Sequence, residues 1–149
     1  MDHNEIRFKF LHTLYQKHYS PELLQPQNTE NIIQESGLGD VDKNQVAGDI
    51  VYLEEKHLIE GTPLIGHKYS PNVRITVYGI DFVQKVFDRV NRDLESENID
   101  NESKTKIREL LQEGESTPTK IQKFVDFAQK STALWLNTMQ IVDFLFGNR

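Results

Sequence analysis

The feature that most narrows the fold is a break. Ser36-Gly37-Leu38-Gly39-Asp40 separates two short amphipathic segments, neither long enough to bury a face unaided. Before it, Asn28-Thr29 offers an N-cap, and Ile32 and Ile33 supply the inner face of a short helix. Gly37 suits the left-handed position just beyond a helix end, where a side chain would be strained. After it, Asp40 or Asp42 can cap a helix over Asp42 to Lys56 that gathers Val46, Ile50, Val51 and Leu53 on one side. Two helices joined this tightly cross steeply, and other segments must close the core between them.

Those segments are legible on both sides. Ile6, Phe10, Leu11 and Leu14, flanked by Phe8 and Tyr15, recur at helical steps and predict a helix over Asn4 to His18. Tyr19-Ser20-Pro21 ends it, because the residue before proline is pushed out of the helical region. Pro21 to Gln27, with Leu23-Leu24, reads as an ordered linker. Beyond Lys56, Leu58-Ile59 is an apolar stub and Gly61-Thr62-Pro63 a turn. Leu64 to His67 and Val73 to Val77 are expected as a hairpin of two strands, the second alternating Val73, Ile75 and Val77 with Arg74 and Thr76. Lys68 to Asn72 would form its tip. Ile80, Val83, Phe87, Val90 and Leu94 then start a strongly periodic helix.

Composition shifts at Glu95. Glu95 to Lys106 has only Ile99 as an apolar residue and reads as a linker or an exposed helix start. Ile107, Leu110 and Leu111 predict a short helix ended by Gly114, and Thr117-Pro118 restarts with an N-cap and a first-turn proline. From this restart a helical stripe, Ile121 to Phe146, is kept for nearly thirty residues. Two domains are therefore expected, 1–95 and 96–149.

Several function classes are disfavoured. There is no cysteine, which excludes disulfide frameworks, thiolate metal sites and cysteine nucleophiles. Five histidines are scattered; His12 and His18 share a helix but lie six apart, unlike an i, i+4 metal pair. No Ser-His-Asp order, phosphate loop or dinucleotide fingerprint is present, so no enzyme activity, catalytic residue, metal or cofactor is expected. Met1 to Glu5 lacks the pattern of a signal peptide, and no apolar run approaches the ~20 residues of a membrane span. The expectation is a cytoplasmic protein with no membrane partner.

Through residue 94 the expected order is helix, short helix, tight turn, helix, hairpin, helix. Leu53-Glu54-Glu55-Lys56-His57-Leu58-Ile59-Glu60-Gly61 and Arg74-Ile75-Thr76-Val77-Tyr78-Gly79-Ile80-Asp81-Phe82-Val83 resemble two phrases common in winged helix-turn-helix regulators of the MarR- and PadR-like kind. His57 stands where that family usually has glycine, and Tyr78 where lysine is common. The resemblance implies a fold that is mainly α with a small β-hairpin (α+β), a winged helix-turn-helix followed by a helical C-terminal extension. It also implies sequence-specific binding of double-stranded DNA in transcriptional regulation, with the Asp42–Lys56 helix in the major groove and the hairpin beside it. The DNA-binding candidates are then Lys43, Asn44, Gln45 and Tyr52 on the helix, and His67, Lys68, Tyr69 and Arg74 in the wing. Asp49 is expected on the same exposed helix face.

The C-terminal stripe suggests a homodimer through Phe124, Ala128, Trp135, Met139, Val142 and Phe146, with folding back onto its own chain as the alternative. Charge opposes the DNA assignment. Residues 1–95 carry ten Lys and Arg against fifteen Asp and Glu, a net −5 in the segment that should approach phosphate. The alternative is a non-enzymatic winged-helix module with a protein partner. Convergence of Lys43, Lys68 and Arg74 on one face separates the two.

Overall fold

The computed structural model describes residues 1–18, 26–93, 99–112 and 114–147. Among these the chain is mainly helical, with seven helices and one small three-stranded antiparallel sheet. Its contacts divide it into two compact units, Met1–Val83 and Gln84–Arg149.

The first unit is built around α1 (His3–His18), which packs against α2 (Thr29–Glu35), α3 (Lys43–Glu55) and the sheet. Because neighbours approach from several sides, α1 is buried on more than one face, and Phe8, His12 and Tyr15 join Ile6, Phe10, Leu11 and Leu14 inside. The Asn28 side chain caps α2 by accepting from Asn31 N at 3.0 Å. The Asp42 side chain caps α3 through Gln45 N, also at 3.0 Å.

Both helices end in the same way. Gly37, at φ +78°, donates from its N–H to Gln34 O (3.1 Å), and Leu38 N–H reaches Ile33 O (3.0 Å). His57, at φ +61°, donates to Glu54 O (3.0 Å), and Leu58 N–H reaches Leu53 O (3.0 Å). These are paired hydrogen bonds of the Schellman kind, closed by buried Leu38 and Leu58.

The sheet corrects the expected hairpin. Its strands are β1 (Gln27–Asn28), β2 (Ile59–Gly61) and β3 (Asn72–Ile75), in the order β1-β3-β2. Ile59 pairs with Ile75, Glu60 with Arg74 and Gly61 with Val73. Leu64 to His67 is not a strand; residues 62–68 form an exposed loop. Ile59, read as the end of an apolar stub, is the inward residue of β2. Pro63 cannot donate to a ladder, so pairing stops before it. Leu64 and Ile65 then face solvent rather than a sheet partner. The second strand ends at Ile75, and α4 (Val77–Arg92) begins earlier than Ile80. Thr76 makes this switch: its Oγ1 donates to His57 O (2.6 Å) and accepts from Gly79 N (3.2 Å). Any side chain at Gly79 would run into the Leu58 carbonyl oxygen, so only glycine fits there.

The division between units falls inside α4. Phe87 and Arg89, past that division, contact Phe124 and Phe144 of the second unit. The expected boundary and Leu94 lie outside the described residues. The second unit also contains α5 (Asn101–Gln112), α6 (Thr117–Ala128) and α7 (Thr132–Gly147). Helix α5 starts six residues before Ile107, because Asp100 caps it through Ser103 N (3.1 Å) and Ser103 Oγ (2.6 Å). Those bonds hold the Asp100 carboxyl below the usual carboxylate range. The N-cap position of α6 is Ser116 rather than Thr117, and its side chain makes no capping hydrogen bond. The long stripe is two helices, not one. The chain turns at Gln129-Lys130-Ser131, and Leu134 N donates to Ser131 Oγ at 3.4 Å.

Candidate nucleic-acid interface

Helix α3 has three sides. Val46, Ile50 and Leu53 enter the core. A second side, Gln45, Asp49 and Tyr52, is covered by the start of α1. Gln45 Nε2 donates to Met1 O at 2.7 Å. Asp49 is only 1% exposed, and accepts from Arg7 Nε at 2.9 Å and from His3 Nδ1 at 2.9 Å. The Arg7 guanidinium lies 3.5 Å from the centroid of the Tyr52 ring, and Lys56 Nζ lies 5.6 Å from it. Asn4 Oδ1 holds Arg7 from the other side, accepting from Nη1 at 2.9 Å. The placement of Asp49 on an exposed face is thus corrected: it is a buried anion neutralised by α1. Gln45 and Tyr52 are half-buried against the start of α1.

The third side is open. Asn44, Gly48 and Glu55 are exposed on it, and Lys43 is exposed at the first turn. Lys68, from the loop before β3, donates to Asn44 Oδ1 at 2.6 Å and so ties that loop to the first turn of α3. Next to Lys68, the Tyr69 hydroxyl donates to the Glu30 carboxylate. Burial and the neighbouring Glu30 push the Tyr69 phenol up to about 12, so it keeps its proton near neutrality. Lys43, Lys68, Tyr69 and Glu30 line one cleft of about 290 Å³, floored by Ile33, Leu38, Val41 and Val46.

Arg74 does not join them. It forms an ion pair with Glu60, its cross-strand partner on β2, and lines a different cavity with Pro26, Thr62, Leu64 and Asn72. His67 is exposed in the loop, where its N–H donates to Leu64 O at 3.1 Å. Of the eight proposed DNA contacts, Lys43, Asn44, Lys68 and Tyr69 come together, while Gln45, Tyr52, His67 and Arg74 do not.

The proposed dimer stripe is also corrected. Phe124, Ala128, Met139, Val142 and Phe146 are buried within the chain, as are Ile121, Leu134 and Ile141. They form the core of the second unit, with Phe87 and Phe124 in edge contact at 5.4 Å between centroids. Trp135 is half-buried, and the exposed apolar residues of α7 are Leu136 and Phe144. Folding back, the alternative, buries five of the six stripe residues within the chain.

His3 and Arg7 are partners of Asp49 that were not expected from the sequence. Their i, i+4 spacing on α1 was the available signal, since it puts two basic groups on one helix face. Among the described residues no group of three His, Cys, Asp or Glu is gathered that could hold a metal ion, and no helix is long and apolar enough to cross a membrane. Comparison with family models, curated proteins and solved structures finds no match to this chain.

Proposed function

We propose that the first unit is a winged helix-turn-helix module that binds double-stranded DNA in transcriptional regulation. Helix α3 is its reading helix, and the loop joining β2 to β3 its wing. The order α1-β1-α2-α3-β2-β3-α4, with the sheet ordered β1-β3-β2, is the arrangement such a module needs. One observation carries the functional step: the Lys68–Asn44 hydrogen bond joins the base of the wing to the first turn of α3. Two ammonium groups and a side-chain amide then meet where a groove edge and its phosphates would lie. Asn44 can read adenine bidentately, and Lys43 and Lys68 can contact phosphate or guanine. Internal neutralisation of Asp49 also removes one acidic group from the docking face.

A second reading, a winged-helix module with a protein partner, is favoured because Arg74, held by Glu60, does not converge with Lys43 and Lys68 on one face, and because Leu64 and Ile65 are exposed at the wing tip. Fluorescence anisotropy with a labelled duplex of mixed sequence separates them. DNA binding predicts saturable association at low salt whose affinity falls steeply as salt rises. No association at low salt transfers the function to the protein partner.

A further inference from the structure

We propose that Gly48 sets the depth at which α3 seats in the major groove, and so decides whether Asn44 reaches a base. Gly48 is an interior residue of the 13-residue helix α3 and is exposed on its open side. Glycine is the poorest helix former after proline, so its place in mid-helix needs a cause. Every other glycine of the first unit has one within the chain. Gly37 and Gly66 stand at φ +78° and +86°, and Gly39, Gly61 and Gly79 lie against atoms that a Cβ would strike. Gly48 has neither reason: its φ is not positive, and a Cβ there would meet no described atom within 4 Å. The cause then lies outside the chain, in a body that approaches the helix backbone closely.

The neighbouring side chain says which body. Asn44 lies one turn before Gly48 on the same side of α3, so the notch left by the missing Cβ adjoins the residue proposed to read adenine. Lys68 holds Asn44 through Oδ1 at 2.6 Å. A carbonyl oxygen has a second lone pair and the amide nitrogen has two donors, so the bonded Asn44 still offers both groups that an adenine edge requires. A helix roughly 10–12 Å across with its side chains nearly fills a major groove about 12 Å wide. Leaving out one Cβ therefore brings the backbone closer to the bases by about 1.5 Å, the length of a carbon–carbon bond. A hydrogen bond from Asn44 to adenine stretched by that amount is lost, because good geometry ends at about 3.2 Å. The inference rests on the proposed function, since it concerns the same helix and the same duplex.

The test uses the full chain to select duplexes from a randomised pool, then compares the selected duplex with one of mixed sequence by fluorescence anisotropy. Gly48→Ala should raise the thermal midpoint by about 3 °C, because alanine is the better helix former. It should weaken binding of the selected duplex about ten-fold and leave the mixed duplex within about two-fold, since Lys43 and Lys68 still reach phosphate. Asn44→Ala should give a similar loss of selectivity. The double variant should lose no more than either single one, because a lifted helix has already taken Asn44 off the base. Unchanged selectivity in Gly48→Ala, or losses that add in the double variant, would overturn the role of Gly48 and leave DNA binding standing. A lower thermal midpoint for Gly48→Ala would show that the chain itself requires the glycine, and would overturn that role as well. If the unaltered chain binds the mixed duplex but enriches no sequence, the depth assignment falls alone. If it binds no duplex at all, the proposed function falls with it.

Discussion

Helix α3 carries two charged sites less than two turns apart, and they are in opposite physical states. At its first turn, Lys43 lines an open cleft with Lys68, and Asn44 accepts a hydrogen bond from Lys68. Further along, Asp49 is sealed between Arg7 and His3, and Gln45 and Tyr52 are turned into the same contact with α1. Both sites read alike in a charge count. Burial makes one of them structure and leaves the other available for a ligand.

The largest effect belongs to the closed site. Asp49→Ala leaves the Arg7 guanidinium facing a buried surface without its counter-ion, which should cost about 3 kcal/mol, the lower end for breaking a buried pair because Arg7 keeps some access to water. The urea midpoint should fall accordingly, with DNA affinity unchanged per folded molecule. An unchanged midpoint together with tighter DNA binding would mean that Asp49 acts as a surface acid, and the division along α3 would fail.

A second buried group makes the first unit sensitive to acid. His12 stacks on Phe8 at 6.1 Å between centroids, and burial lowers its imidazole from the ordinary 6.5 to about 4. In the unfolded chain the ring takes up a proton as pH falls through about 6.5, whereas the folded ring stays neutral until about 4. The unfolded state therefore binds more protons in that window, and stability is lost on acidification by up to ~3 kcal/mol. Urea unfolding at pH 7, 5.5 and 4 should show this slope, and His12→Leu should flatten it. A slope that survives the substitution would assign the sensitivity to other groups.

What could be read beforehand follows the same division. The short helix, the Gly37 turn and the α3 core face were legible because apolar spacing and a left-handed glycine are local signals. Pairing between α1 and α3 was not, since nothing at Asp49 itself reveals that Arg7, 42 residues away, reaches it. Strand β2 escaped because three residues carry almost no periodicity, and their register is set by β3. The break between α6 and α7 has neither glycine nor proline; Ser131 makes it with one weak cap. Lys43 and Lys68 were expected to meet and do. Arg74 was expected with them, but a cross-strand acid takes it.

The open site should show the reverse pattern. Lys43→Gln with Lys68→Gln should leave stability within about 0.5 kcal/mol, as for most surface changes. Duplex affinity should fall about ten-fold or more, and the salt slope should lose roughly two phosphate contacts. Arg74→Gln, already balanced by Glu60, should weaken binding far less. Equal losses from Arg74→Gln and from the lysine pair would place the docking face along β3 instead.

The smallest effect compares the two ends of the α2–α3 pair. Both close with the same hydrogen bonds, but Gly37 holds its left-handed conformation without strain and His57 does not. His57→Gly should therefore raise stability by about 1 kcal/mol, visible as a higher thermal midpoint, since the strain removed exceeds the extra entropy of an unfolded glycine. Gly37→Ala should lower it by a similar amount, although no atom crowds that position and only the backbone angle objects. His57 also presents its carbonyl to Thr76 Oγ1, a bond made by the backbone and so retained by glycine. If His57→Gly proves destabilising, the imidazole itself must contribute at the end of α3, and the two helix ends would differ in more than their side chains.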